Sequence, residues 1–244
     1  MDRRNFFKTI LATPLLTPLL LASKTTKSDL ELFLIADQPQ VFISLLMKEL
    51  EKYTQTYGRN IAFLNVHPQK DDLMRVLSQS GWDYVAKPER ADLTLSSSFL
   101  LNKTLPSFTL VRDGRIWDIR SQKLYTLWEE MNTRHTPSSL LTIASFRRRK
   151  SEHPAGKYVT FYKDGQKLDT IPLKKDVSRS FMAKEGKITV KIEAGRAWVS
   201  ESSCPHKICL STPPAVLAGE RIICAPHHFL LEVKGTSSVD TVIG

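Results

Sequence analysis

The chain has 244 residues, 41% of them apolar, which is enough for one or two buried cores, and two are expected. Its formal charge of +10 is spread along the chain, with one run at Arg147, Arg148, Arg149 and Lys150, and points to solubility and attraction to an anionic membrane surface. No helix-turn-helix, zinc-finger spacing or aromatic-and-basic ribonucleoprotein motif turns that charge into recognition, so nucleic acid is set aside as a partner.

The N-terminus places Arg3, Arg4, Phe6, Phe7 and Lys8 ahead of a mostly apolar run from Thr9 to Ala22, followed by a polar stretch to Asp29. This three-part form is that of an export signal over 1–28. The run is interrupted by Pro14 and Pro18 and is shorter than the ~20 apolar residues that span a bilayer. The arginine pair with its aromatics and lysine resembles the twin-arginine class, whose pathway moves folded proteins, and implies a periplasmic or extracytoplasmic address. Leu20-Leu21-Ala22 makes a poor cleavage site, so retention as a membrane anchor stays open.

From Leu30 the pattern alternates. Leu30 to Ala36 reads as an apolar strand, and Pro39 opens a helix with Val41, Leu45, Leu46, Leu50 and Tyr53 on one face. Asn60 to Val66 is a second strand, Lys70 to Gln79 a helix closed by Gly81, and Ala91 to Ser97 a third strand. Ser107 to Arg112, the turn Asp113-Gly114 and Arg115 to Arg120 form a hairpin, followed by a helix from Gln122 to Met131. This order over 29–135 resembles an α/β thioredoxin-like domain. Asp37, Gln38, Pro39 and Gln40 stand where that family carries Cys-x-x-Cys, and Pro106 stands where it carries a cis-proline, although an ordinary turn proline fits equally. Without cysteines there, the resemblance implies a redox-silent docking domain.

Residues 136–156 mix polar, basic and proline residues and read as a linker. Beyond it the period changes to two. Short strands at Tyr158 to Tyr162, Lys167 to Ile171, Lys187 to Ile192, Arg196 to Val199, Arg221 to Cys224 and Phe229 to Val233 predict a small all-β domain, barrel-like or sandwich, over 157–244.

All three cysteines of the chain fall in this second part, in Cys204-Pro205-His206-Lys207-Ile208-Cys209 and Cys224-Ala225-Pro226-His227-His228. Together with the Tyr158 to Gly165 start, Ile171-Pro172-Leu173, the strand Gly186 to Ile192 and the late Val239-Asp240, these strings resemble the NusG domain II family. That resemblance implies a small β domain carried by exported or membrane-associated bacterial proteins. The family's Gly-Trp-Ile after the second cysteine is absent from Leu210 to Val216.

Inside the same strings, Cys204-x-His206 and Cys224-x-x-His227 resemble the ligand spacing of Rieske proteins, which implies a [2Fe-2S] cluster on Cys204, His206, Cys224 and His227. Ile208 in place of a glycine, Pro226 in place of the disulfide partner and His228 in place of the final glycine depart from that pattern. Three chemistries are open: a structural Cys204–Cys209 disulfide, a mixed thiolate–imidazole metal site for zinc or iron, and a reversible redox pair. The chain has no Gly-rich phosphate loop, no Gly-x-Ser-x-Gly elbow and no His-Glu-x-x-His helix, so no enzyme activity is assigned. The expectation is an exported accessory or binding module without a cofactor, pinned by a disulfide, beside a protein partner in a membrane redox or transport system. The alternative is a Rieske-like electron carrier.

Overall fold

The computed structural model describes residues 30–55, 57–117, 123–134, 136–146, 155–183 and 186–235. The export signal, the basic run at Arg147 to Lys150 and the Val239-Asp240 pair lie outside the described residues. Among those described, no helix is long and apolar enough to cross a membrane.

The first half of the chain is built on one mixed sheet of seven strands: β1 (Leu30–Ile35), β2 (Asn60–Phe63), β3 (Asp83–Tyr84), β4 (Leu93–Thr104), β5 (Ser107–Arg112), β6 (Arg115–Ile116) and β7 (Ser138–Phe146). Their order across the sheet is β3-β2-β4-β7-β1-β5-β6. Helices α1 (Pro39–Thr54), α2 (Lys70–Gln79) and α3 (Lys123–Arg134) cover it. The core is carried by Leu32, Leu34, Ile43, Leu46, Leu73, Leu93, Leu110 and Phe146.

This sheet corrects the thioredoxin-like expectation. A strand–helix–strand unit normally makes its two strands parallel neighbours. Here β4 and β7 separate β1 from β2, and β1 pairs antiparallel with β5 on one side and β7 on the other. The α/β domain plus small β domain is therefore replaced by a mostly β chain with one large mixed sheet and two antiparallel ones. Pro106 is buried, and no peptide bond among the described residues is cis.

Two local expectations also change. The buried face of α1 is Phe42, Ile43, Leu46, Met47 and Leu50, whereas Val41 and Leu45 are exposed. The expected linker 136–156 contains β7, which pairs with both β4 and β1. A central strand is buried on both faces, and β7 carries polar residues there. Thr142 meets His67 at 2.9 Å, Ser145 Oγ donates to Glu31 at 3.3 Å, and the Ser145 carbonyl accepts from Thr94 at 3.4 Å. Paired polar atoms make these positions stable inside while leaving them linker-like in composition.

His67 shows how closely this core is set for neutral groups. Its Nδ1 accepts the Gln69 N–H at 3.0 Å, which leaves the proton on Nε2 facing Thr142 Oγ1. Burial lowers its pKa from 6.5 to about 4. The unfolded chain thus takes up a proton near pH 6.5 that the folded chain refuses until about 4. Stability present above pH 6.5 is expected to fall through that window by about 3 kcal/mol. Urea unfolding of the native chain at pH 7.5 and at pH 4, beside His67→Gln, checks this; equal pH slopes in the two proteins would exclude His67 as the source.

The second half forms two antiparallel sheets. One is β10-β11-β12, from β10 (Val177–Ala183), β11 (Gly186–Glu193) and β12 (Arg196–Ser202). The other is β13-β14-β8-β9, from β8 (Tyr158–Lys163), β9 (Gln166–Pro172), β13 (Arg221–Cys224) and β14 (Phe229–Lys234). The expected period-2 strands are present, and β10 is added to them. Asp164 and Gly165, both at positive φ, turn the chain between β8 and β9. Phe161, Phe181 and Phe229 fill the space between the sheets, with ring centroids 4.9 to 6.2 Å apart.

Candidate thiol site between the two halves

Three separate pieces of backbone deliver the cysteines. Cys204 follows β12, and its N–H donates to Ser202 Oγ at 3.2 Å. Lys207, at φ 52°, turns the chain into the short helix α4 (Ile208–Ser211), which carries Cys209. Cys224 ends β13, where it pairs with Phe229 of β14. The sheet registers thus fold two distant sequence strings onto one point. The three Sγ atoms lie within 4.8 Å of one another, and all three residues are buried.

All three are free thiols in the structure, and the Cys204–Cys209 pair expected as a disulfide is part of this three-sulfur cluster. Cys204 is held far below the ordinary thiol range because Cys209 and Cys224 hydrogen-bond to it. The backbone N–H groups of Lys207 and His206 assist, against burial. Cys209 is pushed up by its bond to Cys204 and by burial, against Cys224, while Cys224 is pushed up by Cys204, by Cys209 and then by burial. The three thiols therefore titrate as one coupled cluster rather than independently. Such a site can bind a thiophilic cation by exchanging protons for metal.

The histidines of the expected four-ligand set do not join it. No histidine or carboxylate among the described residues joins the three sulfurs within that 4.8 Å. His206 is exposed and stands edge-on to Trp128 of α3, ring centroids 6.2 Å apart. His227 is fully buried with Nε2 3.1 Å from Ser203 Oγ and Nδ1 without a hydrogen-bond partner. His228 sits at φ 49° with Nδ1 3.3 Å from an Asp164 oxygen. Cys209, left out of that set, takes the third place.

Asp37, Gln38, Pro39 and Gln40 lie where β1 gives way to α1. Gln38 N–H donates to Asp37 Oδ1 at 3.0 Å, and Asp37 Oδ2 accepts from Thr136 at 3.4 Å. Pro106 precedes Ser107, which pairs with Ile35 at the end of β1. None of these five residues lines the cysteine cavity.

That cavity, about 610 Å³, lies between the two halves. All three cysteines line it from the C-terminal half; Phe33, Phe108, Trp117, Tyr125 and Trp128 line it from the N-terminal half. Arg221, three residues before Cys224, reaches across to Glu31 of β1 and also bonds Glu232 of β14 at 2.8 Å. Its side chain is 5% exposed and those of the two carboxylates are 2% and 13%. Burial alone would favour a neutral guanidine; the two carboxylates outweigh it and hold the charge. Sequence reading missed this triad because Glu31 sits inside an apolar string and its partner is 190 positions away.

The chain is thus a β-rich protein whose thiol cluster belongs to the core of its C-terminal half. Residues 138–237 match the family model of NusG domain II, so that half carries a NusG II-like domain. Solved structures similar to it include a DUF1312 family protein from Ruminococcus gnavus, 27% identical, covering 32% of this chain and 97% of that one with a TM-score of 0.29. The Lin0431 protein from Listeria innocua is 22% identical over 32% of this chain and 95% of that one, TM-score 0.31. A DUF1312 family protein from Enterococcus faecalis is 20% identical over 32% and 97%, TM-score 0.31. The comparison with curated proteins finds no match.

Proposed function

We propose that this chain is an exported accessory binding module that holds one thiophilic metal ion through Cys204, Cys209 and Cys224. The observation that carries the reading is the convergence of three buried sulfurs within 4.8 Å. Thiolates bind zinc at about 2.3 Å, which sets neighbouring sulfurs close to 4 Å apart around one ion. A single disulfide would use two of the three and leave a buried thiol with no role. The arginine pair at Arg3-Arg4 supports delivery of a folded, loaded protein to the outer side of a membrane. The net charge of +10 supports residence near an anionic surface beside a protein partner there.

The [2Fe-2S] alternative needs His206 and His227 on one iron. It draws less support, because His206 faces Trp128 and His227 bonds Ser203.

Loading the reduced, full-length protein with Zn²⁺ without oxygen is expected to bind one equivalent and protect all three thiols from alkylation. A metal-free product in which one thiol reacts before reduction and three after would replace the metal with a disulfide. A brown product with iron and acid-labile sulfide would restore the cluster.

A further inference from the structure

We infer that the three-sulfur site is open on one side, and that a neutral, planar nitrogen heterocycle held in the interdomain cavity supplies the fourth donor. The inference rests on the metal reading above. Zinc sites with a structural role are closed by four protein ligands, whereas sites that take an outside ligand keep three and leave one position free. Among the described residues the cluster offers three donors. The free side has somewhere to lead, since all three cysteines line the same cavity.

The cavity also limits what can enter. Its 610 Å³ falls within the range typical of small-molecule sites. The N-terminal half lines the cavity with aromatic side chains, and Tyr125 and Trp128, one turn apart on α3, hold their rings 6.0 Å apart at 15°. Flat faces of this kind favour a flat occupant.

Charge selects further. Three thiolates around a divalent ion carry a net charge of −1. Among the described residues Arg221 is the only arginine or lysine in the lining, and it is committed to Glu31 and Glu232. A carboxylate or a fourth thiolate would add a second uncompensated negative charge in a buried place, which is costly. A neutral ring nitrogen adds none. The ligand class that satisfies size, shape and charge together is an uncharged aromatic heterocycle with an exposed imine-type nitrogen.

Cobalt(II), which reports its coordination through visible absorption, provides the test. In the full-length protein loaded with one equivalent of cobalt, benzimidazole is expected to shift the visible bands saturably, and acetate at the same concentration is expected to leave them unchanged. Trp128→Ala is expected to weaken benzimidazole about 10-fold, the loss of one stacked aromatic contact, with cobalt affinity unaltered. Tyr125→Ala serves the same purpose if the first variant does not fold. Bands that ignore benzimidazole while cobalt stays bound overturn the open-site inference and leave the metal reading standing. Bands that change in His206→Ala before any ligand is added show that His206 already fills the position, and they overturn it too. Failure to bind cobalt at all removes both.

Discussion

Arg221→Ala is expected to lower the unfolding free energy by about 3–5 kcal/mol, because it removes the buried cation shared by the carboxylates of Glu31 and Glu232, of which Glu232 keeps Lys234 at 3.6 Å. The size of the effect comes from what remains rather than from what is removed. A buried ion pair repays little more than its own desolvation, whereas a stranded buried charge pays desolvation with no return. Arg221→Met combined with Glu31→Gln should therefore recover much of the loss, since Met fills the space and Gln retains hydrogen-bonding capacity toward Ser145. Urea unfolding followed through tryptophan fluorescence gives both numbers. A loss below about 1 kcal/mol for the single variant would mean that water reaches the carboxylates and that the triad does not hold the two halves together.

The second large effect concerns the metal. Cys209→Ser is expected to weaken zinc binding at least about 100-fold, more than the loss of a residue that merely supports a ligand, while His206→Ala and His227→Ala stay within about 3-fold of the native chain. Competition against a chromophoric chelator under reducing conditions measures all three. Cys209 separates the candidate sites because it belongs to the three-sulfur set and is absent from the Cys204, His206, Cys224, His227 set. If the two histidine variants lose affinity and Cys209→Ser does not, the three-sulfur site is wrong.

The two halves of the chain were not equally legible. Strands with one wet face alternate in sequence, so Lys187 to Ile192 and Arg196 to Val199 were visible as elements, and the cysteine strings drew attention by composition. The central strand β7 was not visible. It is covered on both faces, and its buried Ser138, Thr142 and Ser145 look polar; the Leu140 N–H satisfies Ser138, while the distant partners His67, Thr94 and Glu31 bond Thr142 and Ser145. Those partners are 114 positions away in the case of Ser145 and Glu31, beyond the reach of any local pattern. The same distance hid the strand order, because an alternation of strands and helices constrains which elements form without stating which edges meet. At the site, spacing alone favoured Cys-x-His pairs. Rotation of the backbone at Lys207, with φ 52°, brings Cys209 back to Cys204 and turns His206 outward.

The position of β7 separates the matched segment from the unit of folding. The family match begins at residue 138, yet β7 starts there too and lies between β4 and β1 in the sheet of the other half. A cut at the family boundary would carry that strand away, exposing the backbone of β1 and β4 along two raw edges open to pairing with another chain. The two halves are tied as much by a loaned strand as by the contacts around the cavity. Ribosomal synthesis must reach Phe146 before the first sheet can close, by which time the chain that will carry the thiols is next to emerge.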